Sequence, residues 1–415
     1  MKCLPIKHLI SFQVSRINLS SFKYLIMSQK IANITTQHFE NVFKAKAELV
    51  VLSPGRINFI GEHIDYNDGF VMPAAIDKYV CLAVKKTNKQ TASIIALDIK
   101  DKVEIDLNAP LVSTNKIWVN YFVGILSQMK KKLPKGVQVV FSSNLPIGAG
   151  LSSSAALTCG FAFALNQLFD LKYTTLQLAK MAQKTEHKFV GVKCGIMDQY
   201  ANLFGKENYF LLLDCLSFEH KEVSIELNNY QVLLIDSQVK HSLLASGYND
   251  RKALAQKGKT FLMENFEEIK TFRDVTKKHL DFLKKSQSKD MYDSCKFVVE
   301  EIDRVQKTVK ALSKNELEKV GKYLYQTHQG LSKLYHVSCD ELDFLVAQAK
   351  QYPAVLGARM MGGGFGGCMI MIIEKTAVKS FTENVLKSYK EKFGIKGKAI
   401  QLKIAQGTHI YTPKK

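Results

Sequence analysis

The chain is poor in tryptophan, proline and arginine: one Trp, 8 Pro and 6 Arg stand among 415 residues, against 52 Lys. Paired cysteines are also missing. The eight present, Cys3, Cys81, Cys159, Cys194, Cys215, Cys295, Cys339 and Cys368, lie far apart, with no C-x-x-C and no histidine at zinc spacing. That spacing excludes a disulfide scaffold and a zinc module, and it is the pattern of a reduced, cytoplasmic protein. Nor is there a long apolar run. Residues 136–169 carry no charge but include Pro, Asn, Gln, Ser and Gly. Their apolar part, about fifteen residues, falls short of the roughly 20 that a membrane-spanning helix needs.

Charge is abundant but not organised. The formal net charge is +20, yet the lysines are scattered through every segment and gather into no stripe. We read them as a solvated surface that favours anionic ligands in a general way, with neither nucleic acid nor membrane as partner.

The length suggests two domains. The first thirty residues hold Lys2, Lys7, Arg16, Lys23 and Lys30, no acid and no apolar run. They read as a leader (1–30), either an organelle transit peptide or the product of a start set too far upstream, with Met27 as the alternative start. An N-terminal domain is expected over 31–215 and a C-terminal domain over 216–415.

From residue 48 onward the pattern alternates. ELVVLS, YVCLAVKKT, ASIIAL and VQVVFS read as strands, and the segments near 116–131, 152–169 and 174–187 as helices. YFLLLD, KEVSIEL and YQVLLID add strands before about a hundred helical residues. There Val298, Ile302, Val305, Val309 and Leu312 mark the apolar face of a packed amphipathic helix. Ser313 and Glu316 are spaced as a capping box for the next helix. CMIMII and KAIQLKI close the chain as strands around a helix at 376–392, and the final strand is free to return to the first domain.

Three stretches carry chemistry. In LPIGAGLSSSAAL (145–157) two glycines and three serines precede a helix. A helix N-terminus offers unpaired N–H groups and a partial positive charge, Gly148 and Gly150 present no side chain to block a phosphate, and Ser152, Ser153 and Ser154 add donors. A plain serine-capped turn has the same composition, and the lysine of a Walker A loop is absent. SPGRINFIGEHIDYNDGFVMPAAID (53–77) packs Arg56, Glu62, His63, Asp65 and Asp68 into a turn-rich segment. MMGGGFGGC (360–368) sets five glycines around Phe365, room for another backbone or a ligand to come close.

Taken together, these stretches resemble the galactokinase branch of the GHMP small-molecule kinases from about residue 45 onward. GRINFIGEHIDYNDG looks like the galactokinase signature, LPIGAGLSSSAAL like the phosphate loop, RMMGGGFGGCMI like the third motif, and TEHKFVGVKCGIMDQYANLFG (185–205) like the segment between them. The resemblance implies an α+β, two-lobed fold with mixed sheets and the active site between the lobes. It also implies transfer of the ATP γ-phosphoryl group to the anomeric hydroxyl of galactose with Mg2+.

By matching positions, Asp198 is the catalytic carboxylate and Arg56 its cationic partner. An arginine favours the ionised form of a neighbouring aspartate, and its planar fork can also steady charge on the moving phosphoryl group. Ser154 and Glu186 match the magnesium positions, an oxygen pair suited to a hard cation. Glu62, His63 and Asp65, with Gly195 and Tyr248, match the sugar contacts, where an acceptor left unpaired by the wrong hydroxyl rejects the wrong sugar. Trp118 and Tyr121 match an aromatic pair near the adenine. Two rivals stay open: a sensor that binds galactose and ATP without turnover, and a kinase for N-acetylgalactosamine or arabinose. The intact SSSAA run with Asp198 and Arg56 speaks for an enzyme.

Overall fold

The computed structural model describes residues 19–146, 148–239 and 244–413. Residues 1–18 of the expected leader lie outside the described residues, and the remainder of it opens a helix, α1 (Leu19–Phe43).

Alternation of side chains explains the first sheet. β1 (Leu49–Asn58), β2 (Phe70–Val71), β3 (Pro73–Thr87), β4 (Thr91–Ala96) and β5 (Asp101–Asp106) come first, followed by α2 (Ile117–Met129) and β6 (Gly136–Ser143). In β3, Leu82 and Val84 enter the main core, whereas Cys81 and Ala83 face away from it. That second face would be solvated in an ordinary half-buried strand. Here α1 covers it, Ile31 packing near Cys81 and Phe39 against Ala83 and Val140.

α3 (Ser153–Phe169), α4 (Thr175–Thr185) and α5 (Met197–Phe204) follow. α3 lies across β1 and β3, and Thr174 and Gln177 form a reciprocal capping box that opens α4. β7 (Phe210–Asp214) and β8 (His220–Val223) then pair as a small sheet with β2.

The second lobe begins with β9 (Tyr230–Asp236). It continues through α6 (Leu244–Asn265), α7 (Lys277–Ser286), α8 (Lys289–Leu312), α9 (Leu317–Lys333) and α10 (Asp340–Lys350) to β10 (Val355–Met361) and β11 (Cys368–Glu374). α11 (Val378–Phe393), β12 (Lys398–Gln401) and β13 (His409–Ile410) complete the chain. The order β10-β11-β9-β12 is antiparallel throughout, with β11 central and buried along most of its length. β13 crosses back to pair with β1, Val51 opposite Ile410, giving the first sheet the order β13-β1-β3-β6-β4-β5 with only β4 and β6 parallel. The lobes are therefore joined by the returning terminus as well as by the connection before β9.

One local expectation is not met. Ser313 ends α8, and its hydroxyl donates to the Lys310 carbonyl. Glu316 occupies the N-cap position of α9 without a side-chain cap, its carboxylate taking Lys319 instead. Asn315 in the left-handed region, φ 54°, turns the chain between the helices and keeps Ser313 from reaching α9. Among the described residues no helix is long and apolar enough to cross a membrane.

Candidate active site

β1 carries the first charged group into the space between the lobes. Its pairing with β3 shifts register between Pro54 and Arg56, and a bulge of this kind re-aims the side chain beside it. Arg56, 4% exposed, meets Asp198 in the first turn of α5, Nε donating to Oδ1 at 2.7 Å and Nη2 to Oδ2 at 2.9 Å. Its Nη1 donates to the Gly150 carbonyl at 2.5 Å, and its backbone N–H to the Leu151 carbonyl at 3.1 Å. Burial works against this guanidinium, but Asp198, Glu62 and Asp65 outweigh it and raise its pKa above the ordinary value. One arginine thus ties the carboxylate to the backbone of the loop before α3.

The loop itself is bent by positive φ at Gly148 (80°), Gly150 (71°) and Ser152 (58°). Ser152 is not a glycine, so this conformation carries strain. It directs the hydroxyl to Asp198 Oδ2 at 2.5 Å, and α3 is left without a side-chain cap. The leading N–H groups of the helix keep their capacity for an anion. Ser153 and Ser154 line the cleft beside them, with Tyr121. Ser154 Oγ donates to Glu186 Oε2 at 3.2 Å, and Gln199 Nε2 to Glu186 Oε1 at 2.8 Å. Glu186 opens a π turn over Glu186–Val190, a departure that often marks functional sites. Burial first, and then the charge of Asp198, pushes its carboxyl up to about 7.

On the other side of Arg56 lies the acidic loop after β1. Glu62, 1% exposed, accepts from Asn58 Nδ2 and from the Gly362 N–H, each at 2.9 Å, and faces Arg359 at 3.7 Å. Asp65 accepts from the Met197 N–H at 3.4 Å, and its carboxyl is pushed up to about 7 by burial, reinforced by Asp198 and Glu62. Gly195 abuts it so closely that an added Cβ would lie 1.9 Å from Asp65 Oδ2. His63 and Tyr248 pack ring to ring, centroids 5.2 Å apart. The glycine-rich loop closes the cleft from the second lobe. Gly364, φ 81°, is required there, since a Cβ would meet the Val337 carbonyl at 2.0 Å.

Arg56, Asp198, Glu186, Glu62, His63, Asp65, Tyr248 and both glycine-containing loops line one cleft of about 350 Å3, within the range of small-ligand sites. A larger groove of about 990 Å3 runs past β13. Volume alone favours the groove, but the convergent charges and displaced carboxyl pKa values belong to the cleft. Two expected site residues are not among those lining the cleft: Gly195, which abuts Asp65, and Trp118, which is set apart. Its indole N–H donates to Asp101 at 3.0 Å, its ring packs near Phe122 and Phe141, and it is not among the residues lining the cleft.

Three further residues shape the site without having been singled out by motif. Asn58 holds Glu62, and Gln199 holds Glu186. Arg359, with no exposed surface, donates to the carbonyls of Phe59 (3.1 Å), Asn58 (2.6 Å) and Met360 (2.5 Å). The scarcity of arginine was the available signal for the last. Among the described residues no three His, Cys, Asp or Glu groups converge as a metal cage.

Comparison with known proteins supplies the rest. The family model described as GHMP kinases N terminal domain matches residues 120–206, that described as Galactokinase galactose-binding signature matches 37–86, and that described as GHMP kinases C terminal matches 308–391. The chain is 39% identical over 359 residues to the galactokinase of Thermosipho africanus, covering 86% of this chain and 98% of the relative. It is 40% identical over 347 residues to that of Thermotoga maritima, covering 83% and 95%. Among solved structures, Lactococcus lactis galactokinase complexed with galactose aligns with a TM-score of 0.87 at 30% identity, over 91% of this chain and 99% of that one. Methanococcus jannaschii mevalonate kinase, at 18% identity and a TM-score of 0.61 over 86% and 98%, shares the fold.

Proposed function

The chain belongs to the galactokinases of the GHMP kinase family, and from that premise we propose the part each cleft residue plays. The protein is an ATP-dependent sugar kinase that transfers the γ-phosphoryl group to the anomeric hydroxyl of galactose. The observation that carries the assignment of roles is the Asp198 carboxylate, held through both oxygens by Arg56 and through Oδ2 also by Ser152.

A carboxylate held by these three hydrogen bonds is a well-fixed acceptor. It orients the anomeric hydroxyl, which suits a loose phosphoryl-transfer transition state that asks little proton removal early on. Arg56 lies beside the phosphate loop through Gly150 and so places positive charge where the transferred group gathers negative charge. The uncapped start of α3 and the hydroxyls of Ser153 and Ser154 receive the ATP phosphates.

Glu62, Asp65, His63 and Tyr248 receive the sugar, with Gly195 leaving Asp65 its room. Ser154 and Glu186, a hydroxyl and a carboxylate 3.2 Å apart beside that loop, fit Mg2+ as its protein ligands. When bound, the ion neutralises phosphate charge. Tyr121 borders the nucleotide side. The seven described cysteines are all unpaired, which suits the reducing cytoplasm.

The test is ADP release by the purified protein with galactose, glucose, N-acetylgalactosamine, arabinose and mevalonate in parallel, with and without Mg2+. Turnover with galactose that needs Mg2+ is the expected result. Binding of galactose and ATP without turnover would make the protein a sensor, and turnover only with another substrate would mean that the acidic loop reads a different sugar.

A further inference from the structure

His63 is 4% exposed and lines the cleft, yet its Nε2 has no hydrogen-bond partner among the described residues. The rest of the ring is fully engaged. Tyr66, Tyr248 and Tyr335 surround it at centroid distances of 6.0, 5.2 and 5.2 Å. Nδ1 lies 2.6 Å from the Tyr66 hydroxyl, that hydroxyl lies 3.3 Å from the Tyr335 hydroxyl, and Tyr335 donates to the Arg251 carbonyl at 3.3 Å.

Counting protons along this chain fixes its direction. A carbonyl can only accept, so the single Tyr335 proton points to Arg251. The Tyr66–Tyr335 contact must then be filled by the Tyr66 proton, and the His63–Tyr66 contact by a proton on Nδ1. A neutral imidazole carries one N–H. Burial keeps this ring neutral, pushing its pKa down to about 3, with the Gly363 carbonyl pulling the other way and the Arg359 charge reinforcing the fall.

We propose that Tyr66 and Tyr335 are positioning residues that hold His63 as its Nδ1–H tautomer, so that the bare Nε2 accepts a hydrogen bond from one hydroxyl of the sugar. The ligand half of this proposal rests on the galactose reading of the cleft; the tautomer half does not. The opposite arrangement has Tyr66 donate to Nδ1 and turns an Nε2–H toward Gly363. It leaves the Tyr66–Tyr335 contact without a proton, and Nε2 makes no bond of ordinary geometry to that carbonyl. A bare Nε2 also sets a rule for analogues. Replacing the facing hydroxyl by fluorine, which cannot donate, must cost as much as deleting it.

The tautomer is read by 15N NMR of the full chain labelled at histidine, without nucleotide or sugar. Expected for wild type is a pyrrole-type Nδ1 and a pyridine-type Nε2 at His63. Tyr66→Phe and Tyr335→Phe each shift the ring toward Nε2–H. Each raises the galactose KM about tenfold, the worth of one hydrogen bond, while lowering kcat by less. One deoxy- and fluoro-galactose pair loses equally on wild type and is indifferent to both variants. An Nε2–H in wild type overturns the proposal, as does a folded variant that keeps both tautomer and KM. The wild-type spectrum decides alone should either variant not fold. An Nδ1–H ring in a protein that does not phosphorylate galactose would sink the galactose reading and the ligand half, leaving the tautomer intact.

Discussion

Replacing Arg359 by methionine removes a guanidinium with no exposed surface that serves three carbonyls and faces Glu62 at 3.7 Å. Breaking a buried charge pair by deleting one partner costs about 3–5 kcal/mol, because the other charge stays behind in a dry site. Each of the three carbonyls stranded without a partner would add about 1–3 kcal/mol. Against this stands the burial cost of the arginine itself, visible in its lowered pKa, and the apolar gain from methionine. The net expected loss is about 3–5 kcal/mol, read as a lower midpoint in urea unfolding of the ligand-free protein. Adding Glu62→Gln to Arg359→Met removes the stranded charge and should recover about 1–3 kcal/mol, the coupling expected of contacting groups. A single variant within about 1 kcal/mol of wild type would refute the reasoning. So would a double variant no more stable than the single one, since Glu62 would then not depend on Arg359.

Two further predictions follow from the same site. Asp65 is raised from 3.8 to about 7 in the folded protein, so its contribution to stability is complete below its unfolded value and lost as pH rises through about 7. Wild type should lose stability relative to Asp65→Asn over that interval, by at most about 1.4 kcal/mol per pH unit; parallel unfolding curves would contradict this. Gly195→Ala places a methyl 1.9 Å from Asp65 Oδ2 and should raise the galactose KM on the order of tenfold or more while leaving the ATP KM in place. An unchanged galactose KM would mean that Asp65 does not touch the sugar.

The parts of the site that follow from local chain chemistry are legible in the sequence. Gly148, Gly150 and the serines suit either a capped turn or an anion cradle before a helix, and it is the motif resemblance that makes them read as a phosphate loop. Arg56, Glu62, His63 and Asp65 sit in one motif, and all four reach the cleft. The motif resemblance also pairs Arg56 with Asp198 across 142 positions, a bond that periodicity does not reveal.

What escapes the sequence depends on long-range packing. Arg359 acts on Asn58 and Phe59, some three hundred residues away, and looks like one more strand residue beside the glycines. Trp118 shares α2 with Tyr121, yet its N–H is drawn to Asp101 on β5, a strand whose short polar pattern gave no warning. β13 is two residues long and exists because β1 offers it an edge. The Ser313 cap fails because Asn315 adopts a left-handed turn that composition alone does not demand.

Asp198, clamped by Arg56 and Ser152, is proposed to direct the anomeric hydroxyl at the phosphoryl group. This role is tested most directly by 31P NMR of the product formed from galactose and ATP by wild type and by Asp198→Ala, with galactose binding to both measured by calorimetry. Phosphate on the anomeric oxygen is expected with wild type, and galactose still bound but no product with the variant. Phosphate on any other oxygen, or product formed by the variant at a rate near that of wild type, would contradict it.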